Sequence, residues 1–359
     1  MDNLANNQDA ALCNPLPWSI NGNMIWLASS LTLLRNIEKF NFPGKLSNDK
    51  KKQLFNLISR DLLEMEALKN PRLIKAEGMQ PIEKEYLVEH FLTKESFHQA
   101  SSGEGFVLEQ TGESLIAINL HDHLMFHRID INEELEAAWE RICNIEALLS
   151  KSVNFSFSSK FGFLTSDPAE CGTGLIVHIF MHLPGLIHTG RLEEAMKKNK
   201  DDAVEQAGLH GDPKDLIGDI VVCHNNYTLG LTEENIISML RTLGTKLSVE
   251  EKSVRAFLKQ GQGAEILELK DKISRAYAIL LHSYQIEAVE ALQALSLLKL
   301  GLDLDWLAGI SQTKLNELFF AARRAHLLCR YGQKITQEEL PHKRAEFIHN
   351  SLKGSSLLI

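Results

Sequence analysis

Prolines divide this chain unevenly: eight of the nine lie at or before Pro213, and only Pro341 follows. Proline removes a backbone donor and breaks helix interiors, so the long stretch without it predicts a helical C-terminal part. Apolar stripes at helical spacing agree. Ile236, Met239, Leu240 and Leu243 follow Thr232, a candidate cap. Ile266, Leu269, Ile273, Tyr277 and Leu280 form a second stripe, and Ile286, Val289, Leu292 and Leu295 a third. Together they read as one helical bundle.

Upstream, residues 100–225 alternate β-type and helical runs. Gly105 to Gln110, Ser114 to Asn119, Leu124 to Ile129, Phe161 to Thr165, Leu175 to Leu183 and Asp219 to Cys223 read as strands. Leu135, Ala138, Trp139, Ile142, Ile145 and Leu149 predict a helix between two of them, with Asp130 and Glu133 as a capping box. Residues 1–95 carry helical patterns such as Leu54, Leu57, Ile58, Leu62 and Leu63, with a turn at Phe42-Pro43-Gly44. The expectation is an α+β body over residues 1–245, helical in 1–95 and α/β in 96–245, followed by an all-α domain over 246–359.

Charge and cysteine usage narrow the function classes. A net charge of -9 argues against a nucleic-acid binder working by general basicity, and Lys50-Lys51-Lys52 reads as a solvated loop face. Cys13, Cys143, Cys171, Cys223 and Cys329 are odd in number and contain no C-x-x-C, so neither a disulfide framework nor a zinc knuckle is indicated. The first nine residues are polar and acidic where a signal peptide is basic and then apolar, and no apolar run is long enough to span a bilayer. A cytoplasmic protein without nucleic-acid or membrane partners is expected. His121, His123 and His127, with His178 and His182 as further imidazoles, match no ligand spacing. They read as a core or rim cluster, and no metal is expected. Cys171 and Cys223 read as small hydrophobes, and Phe319-Phe320 as core.

The stretch Phe161-Gly162-Phe163-Leu164-Thr165-Ser166-Asp167-Pro168-Ala169-Glu170-Cys171-Gly172-Thr173-Gly174-Leu175-Ile176 resembles the guanidino-kinase segment G-Y-L-T-x-C-P-T-N-x-G-T-G-L-R. The reactive cysteine of that segment falls on Asp167 and its arginine on Ile176. Pro17-Trp18, Ala28 to Asn36 and Phe42-Pro43 resemble the family's tryptophan, S-S-R-I-R-L-A-R-N and F-P, two nucleotide-binding arginines falling on Ser30 and Thr32. Glu83 to Glu89 is similar to E-K-x-x-L-V-E. Asn119 to Met125 is similar to N-E-E-D-H-I-R, with the acidic pair that includes the catalytic glutamate on Leu120 and His121 and the arginine on Met125. Ala207 to Asp212 stands where the family has R-G-x-Y-G-E, and Asn225 to Gly230 where it has S-N-Q-x-T-L-G. Glu338 to Ala345 resembles the phosphoarginine-reading E-E-R-D-x-x-R-A; Arg344 and Ala345 remain, while Leu340 and Pro341 replace arginine and aspartate.

The resemblance runs through nearly the whole chain and reaches the helical module that ordinary arginine and creatine kinases lack. It points to the bacterial protein-arginine kinases of the ATP:guanido phosphotransferase (phosphagen kinase) family. It implies a guanidino-kinase fold, an antiparallel sheet flanked by helices with a helical N-terminal part, plus an all-α C-terminal domain.

Phosphoryl transfer depends on positioning and on positive charge around the phosphates. The family's five arginine positions fall on Ser30, Thr32, Met125, Ile176 and Ala207, none of them charged. The resemblance therefore implies an impaired kinase that works by binding, needs no cofactor, and has as partners a zinc-finger activator, a Clp-type unfoldase, client proteins or a second copy of itself. The alternative is an active protein-arginine kinase using ATP and Mg at a rearranged site of Asp167, Glu170, His121 and Asp212. A third reading keeps anion or phosphoarginine recognition through Arg344.

Overall fold

A computed structural model describes Trp18 and residues 24–92, 102–331 and 335–359. Cys13, Pro17 and the polar N-terminal segment lie outside the described residues. The strands are β1 (Trp26–Arg35), β2 (Arg72–Lys75), β3 (Gly105–Leu108), β4 (Ser114–Ile118), β5 (Leu124–Asp130), β6 (Phe157–Ser158), β7 (Gly162–Phe163), β8 (Leu175–His182), β9 (Val204–Ala207), β10 (Ile220–Asn225), β11 (Leu307–Ala308) and β12 (Ser356–Leu357). The helices are α1 (Asn48–Leu63), α2 (Pro81–Glu89), α3 (Leu135–Leu149), α4 (Pro184–His188), α5 (Leu192–Lys198), α6 (Glu233–Gln260), α7 (Ala264–His282), α8 (Ala288–Asp303), α9 (Gln312–Ala321), α10 (Arg324–Arg330) and α11 (Leu340–Leu352). Eight strands form one sheet in the order β2-β3-β4-β5-β1-β8-β10-β9. The pairs β2–β3, β3–β4, β4–β5 and β5–β1 are antiparallel, as the resemblance implies.

The chain forms two compact units interleaved in sequence. One contains Ser29–His178 and Asn225–Met239; the other contains Trp18–Ala28, Ile179–His224 and Leu240–Ile359. The division expected at residue 245 falls inside α6, a helix that continues to Gln260.

In the first unit, the span expected to be helical up to residue 95 begins with β1, a ten-residue strand buried along its whole length. When both faces of a strand are covered its apolar residues lose their alternation, and periodicity no longer separates strand from helix. Leu31 and Leu33 on one face are fully buried, and so are Ser30 and Thr32 to within a few percent on the other. Helix α1 packs against β2, β3 and β4, burying Leu54, Phe55, Ile58 and Leu62. Leu57 and Leu63 of the same stripe face outward. Helix α3 spans the predicted stripe and packs on β5. Its start is not a capping box: Asp130 accepts the N–H groups of Asn132 and Glu134 at 3.1 and 2.9 Å, while Glu133 takes a left-handed φ of 60°.

In the second unit, α7, α8, α9 and α11 share a core that includes Leu280, Leu295, Leu298, Leu315, Leu318 and Ile348. Phe319 and Phe320 are buried, and their rings lie 5.7 and 5.0 Å from that of Trp18. Asn316 fixes this tryptophan by donating to its carbonyl at 2.8 Å. Gly244 lets α6 approach Trp26, since a Cβ there would lie 2.7 Å from the ring.

A buried polar knot joins α4, α6 and α8. The fully buried Glu251 carboxylate accepts from the N–H groups of Gly185 and Leu186, both at 2.8 Å, and from Arg255 Nε at 2.7 Å. It thus satisfies orphan donors at the start of α4, where the helix dipole also favours negative charge. Arg255 also reaches Asp303 at 3.2 Å and the His182 carbonyl at 3.1 Å. Burial holds His182 well below the usual imidazole range, and the charges of Lys299 and Arg255 push it the same way. Burial, reinforced by Arg255, lowers the Lys299 ammonium to about 7.

Two outcomes follow from this knot. Glu251→Ala leaves buried Arg255 with only the more exposed Asp303 and strips the Gly185 and Leu186 N–H groups of their acceptor, and urea unfolding should show a loss of about 3–5 kcal/mol. Between pH 7 and 10.5 the unfolded chain holds the Lys299 proton and the native chain sheds it, so stability rises with pH across that window. Lys299→Met should flatten this rise in pH-resolved unfolding curves. An unchanged slope would contradict the assigned shift.

Candidate functional site

The β1–β5 register aligns Ser30 with Ile129, Thr32 with His127 and Leu34 with Met125. Directly opposed residues share a sheet face, so Ser30, Thr32, Met125 and His127 lie together. On the other side of β1, Leu34 N–H donates to Gly174 O at 2.9 Å. Carried along β8 with a period of two, that pairing puts Ile176 and His178 on the same face as Thr32 and Ser30. The structure thus brings together four of the five positions singled out from sequence. Their face is apolar or weakly polar: Thr32 Oγ1 bonds His127 Nδ1 at 3.0 Å, Met125 and Ile176 are half-buried, and Ser30, Thr32, His127 and His178 are buried.

One end of this face is bounded by the loop between β4 and β5. Asn119 N–H donates to His123 O at 3.1 Å, closing a tight turn, and Asn119 takes the left-handed φ of 60° that asparagine tolerates. Asn36 clasps the loop: its Oδ1 accepts from His123 N–H at 3.0 Å, and its Nδ2 donates to Asp122 Oδ1 and to Leu164 O. His123 Nδ1 accepts from Ile37 N–H at 3.0 Å, which leaves Nε2 to donate to Asn41 O at 3.0 Å. Burial lowers this imidazole to about 4 and keeps it neutral. His123 is therefore a structural clasp. The loop leaves Leu120 half-buried and His121 exposed.

The segment carrying Asp167 packs beside that loop. Ser166 donates through N–H to Asp122 Oδ1 and through Oγ to His121 O, both at 2.7 Å. Asp167 caps the short turn Pro168–Glu170, its Oδ1 accepting from Ala169 N–H at 2.9 Å. Cys171 Sγ lies 3.4 Å from Thr165 Oγ1, and Thr228 Oγ1 donates to Cys171 O at 2.7 Å. Gly172 comes so close to the Thr228 carbonyl that a Cβ would lie 2.6 Å away, at a φ of +117°, so the glycine is fixed by chain packing. Gly174 likewise has a φ of +63° against the Leu34 carbonyl.

The cation at the end of β1 is committed elsewhere. Arg35 is buried, pairs through Nε with Glu146, donates to Leu34 O and Thr173 O at 2.8 Å, and stacks 3.5 Å over Phe163. Burial lowers its guanidinium from the ordinary arginine value, and Glu146 opposes that shift. Cys143 and Cys223 are held protonated, burial pushing each up to about 12.

Ala207, Asp212 and Arg344 belong to the second unit. Ala207 ends β9 and is buried. Asp212 is exposed and caps a turn, its Oδ1 accepting from Lys214 N–H at 2.9 Å. Arg344 is buried in α11 and donates to Ala322 O at 2.6 Å and Ile286 O at 2.7 Å, tying the helices of the bundle together. Sequence reading grouped Glu170 with His121 in the rearranged-site alternative but missed Asp122 beside them, and it missed the Thr32–His127 bond, because neither follows from spacing along the chain. No helix among the described residues is long and apolar enough to cross a membrane.

Comparison with known proteins matches this architecture. The ATP:guanido phosphotransferase C-terminal catalytic domain matches residues 53–254, and the protein-arginine kinase McsB C-terminal domain matches residues 266–357. The protein-arginine kinase of Chlamydia pneumoniae is 32% identical over 93% of this chain and 93% of its own. That of Halothermothrix orenii is 30% identical over 91% of this chain and 93% of its own. Among solved structures, the duplicated taurocyamine kinase of Schistosoma mansoni aligns with a TM-score of 0.57 at 21% identity, covering 75% of this chain and 40% of that one. Lombricine kinase aligns with a TM-score of 0.56 at 17% identity, covering 68% and 71%. These structures share the fold. Two matched domains in order, with relatives aligned over more than nine-tenths of both chains, place this chain in the protein-arginine kinase branch of the ATP:guanido phosphotransferase family.

Proposed function

We propose that this chain is a catalytically impaired protein-arginine kinase homologue that acts by binding, as a regulatory protein in a stress-response setting around a Clp-type protease. The observation that carries this reading is the composition of one sheet face. Ser30, Thr32, Met125 and Ile176 share it, none is charged, and the face is half-buried or buried throughout. A charge-assisted hydrogen bond to phosphate contributes about 1.5–3 kcal/mol net. With arginine missing at all four positions, and at Ala207 on β9, both triphosphate affinity and transition-state stabilisation lose their main source.

Other features support the same reading. The acidic pair of the family falls on Leu120 and His121, neither of which carries a carboxylate to orient a guanidinium. Asp167 and Asp212 each use a carboxylate oxygen to cap a local turn. The Arg344 guanidinium is occupied with two backbone carbonyls, which disfavours phosphoarginine reading. No cofactor is required by this function. Partners by kinship are a zinc-finger activator, a Clp unfoldase, its clients or a second copy of this chain.

The alternative, an active kinase with a rearranged site, draws on one observation: His121, Asp122 and Glu170 converge beside the Asp167 turn. A phosphorylation assay separates the two. With ATP, magnesium and an arginine-rich protein, the purified chain should yield no acid-labile phosphoarginine by mass spectrometry. Ile176→Arg alone should not restore any, because groups acting as a unit are not recovered singly. Product from the unmodified chain that disappears in Asp167→Ala would establish the active kinase instead.

A further inference from the structure

The turn between β4 and β5 and the turn Pro168–Glu170 bring an imidazole and two carboxylates to one point. His121, Asp122 and Glu170 each present one donor atom, and the three atoms lie within 4.8 Å of one another. All three residues belong to the same compact unit.

Asp122 is the unusual member. It is 2% exposed, and no basic side chain lies within ion-pair distance of it among the described residues. Its Oδ1 accepts from Asn36 Nδ2 and Ser166 N–H, while its Oδ2 is buried and accepts no hydrogen bond. Taking a carboxylate out of water is costly unless the charge is paired or coordinates a metal. The neighbouring His123 does not supply that charge, being held neutral between Ile37 N–H and Asn41 O.

The support around the three donors is fixed. Asn36 and Ser166 orient the Asp122 carboxylate, Ser166 Oγ holds the His121 carbonyl at 2.7 Å, and Glu170 N–H closes its turn onto Asp167 O at 3.0 Å. Hydrogen bonds of this kind orient metal ligands and raise metal affinity. His121 is exposed and Glu170 half-buried, so both side chains have room to close on an ion held at the buried oxygen.

We propose that His121, Asp122 and Glu170 form a binding site for a divalent transition-metal cation, with zinc as the fitting probe. One imidazole nitrogen and two carboxylate oxygens suit zinc better than magnesium, which prefers an all-oxygen octahedral shell. Three protein ligands leave one coordination position for water or for a donor from a docked protein. The site does not depend on whether the chain phosphorylates anything, so its test is independent of the proposed function.

The untagged full chain, freed of metal with a chelator, is titrated with zinc chloride by calorimetry and by thermal shift. One zinc per chain and a rise in Tm are expected. His121→Ala and Glu170→Gln, both at accessible positions, should each weaken binding by more than about tenfold. Asp122→Asn keeps the oxygen that accepts from Asn36 and Ser166 but removes the buried charge. It should leave the zinc-free chain no less stable and abolish the zinc-dependent rise in Tm. The proposal is overturned if the chain binds no zinc, or if its affinity is unchanged in both His121→Ala and Glu170→Gln.

Discussion

The pairing of β1 with β5 is the constraint on which the rest of the first unit depends. In an antiparallel ladder the side-chain period is two, so one register decides every residue on each face. Here it sets Ser30, Thr32 and Leu34 against Ile129, His127 and Met125 and turns Leu31 and Leu33 into the apolar core. A slip of one residue would exchange the two buried faces, putting Ser30 and Thr32 among the core hydrocarbon and the leucines against His127. The Thr32–His127 bond at the middle of the strand pair and the Asn36 clasp on the β4–β5 loop at its end reinforce that register.

The same register shows how the fold accommodates uncharged residues at Ser30, Thr32 and Met125. Replacing arginine by serine, threonine, methionine or isoleucine on a strand removes charge and bulk while retaining β-compatible side chains. Arg35, by contrast, serves packing: it bonds two carbonyls, pairs with Glu146 and stacks on Phe163. Ser30 and Thr32 of this strand are uncharged, while its arginine serves the packing of the fold. In the bundle Arg344 shows the same preference, its donors satisfying the carbonyls of Ala322 and Ile286.

Much of the helical structure was legible from the chain because its apolar stripes are one-sided. The stripe Leu135 to Leu149 corresponds to α3, and Ile266 to Leu280 lies within α7. Strand β1 was not legible, since burial on both faces erases alternation. Residue 245, where the sequence suggested a boundary, lies within α6, which runs continuously through it, and the chain enters each unit more than once. Of the site, the uncharged residues at positions where the family resemblance places arginines were visible in the sequence one at a time. That four of them share a face required the strand register. The meeting of Asp122 with Glu170, 48 residues away along the chain, is a product of two turns packed together, which local pattern does not encode.

The central claim is that the residues standing in for the family's phosphate-binding arginines leave this chain unable to hold a nucleoside triphosphate. Calorimetric titration of the intact chain with ATP and magnesium tests it most directly. The account predicts no saturable heat at millimolar nucleotide. Stoichiometric binding in the micromolar range, weakened by substitution at Thr32 or His127, would contradict it.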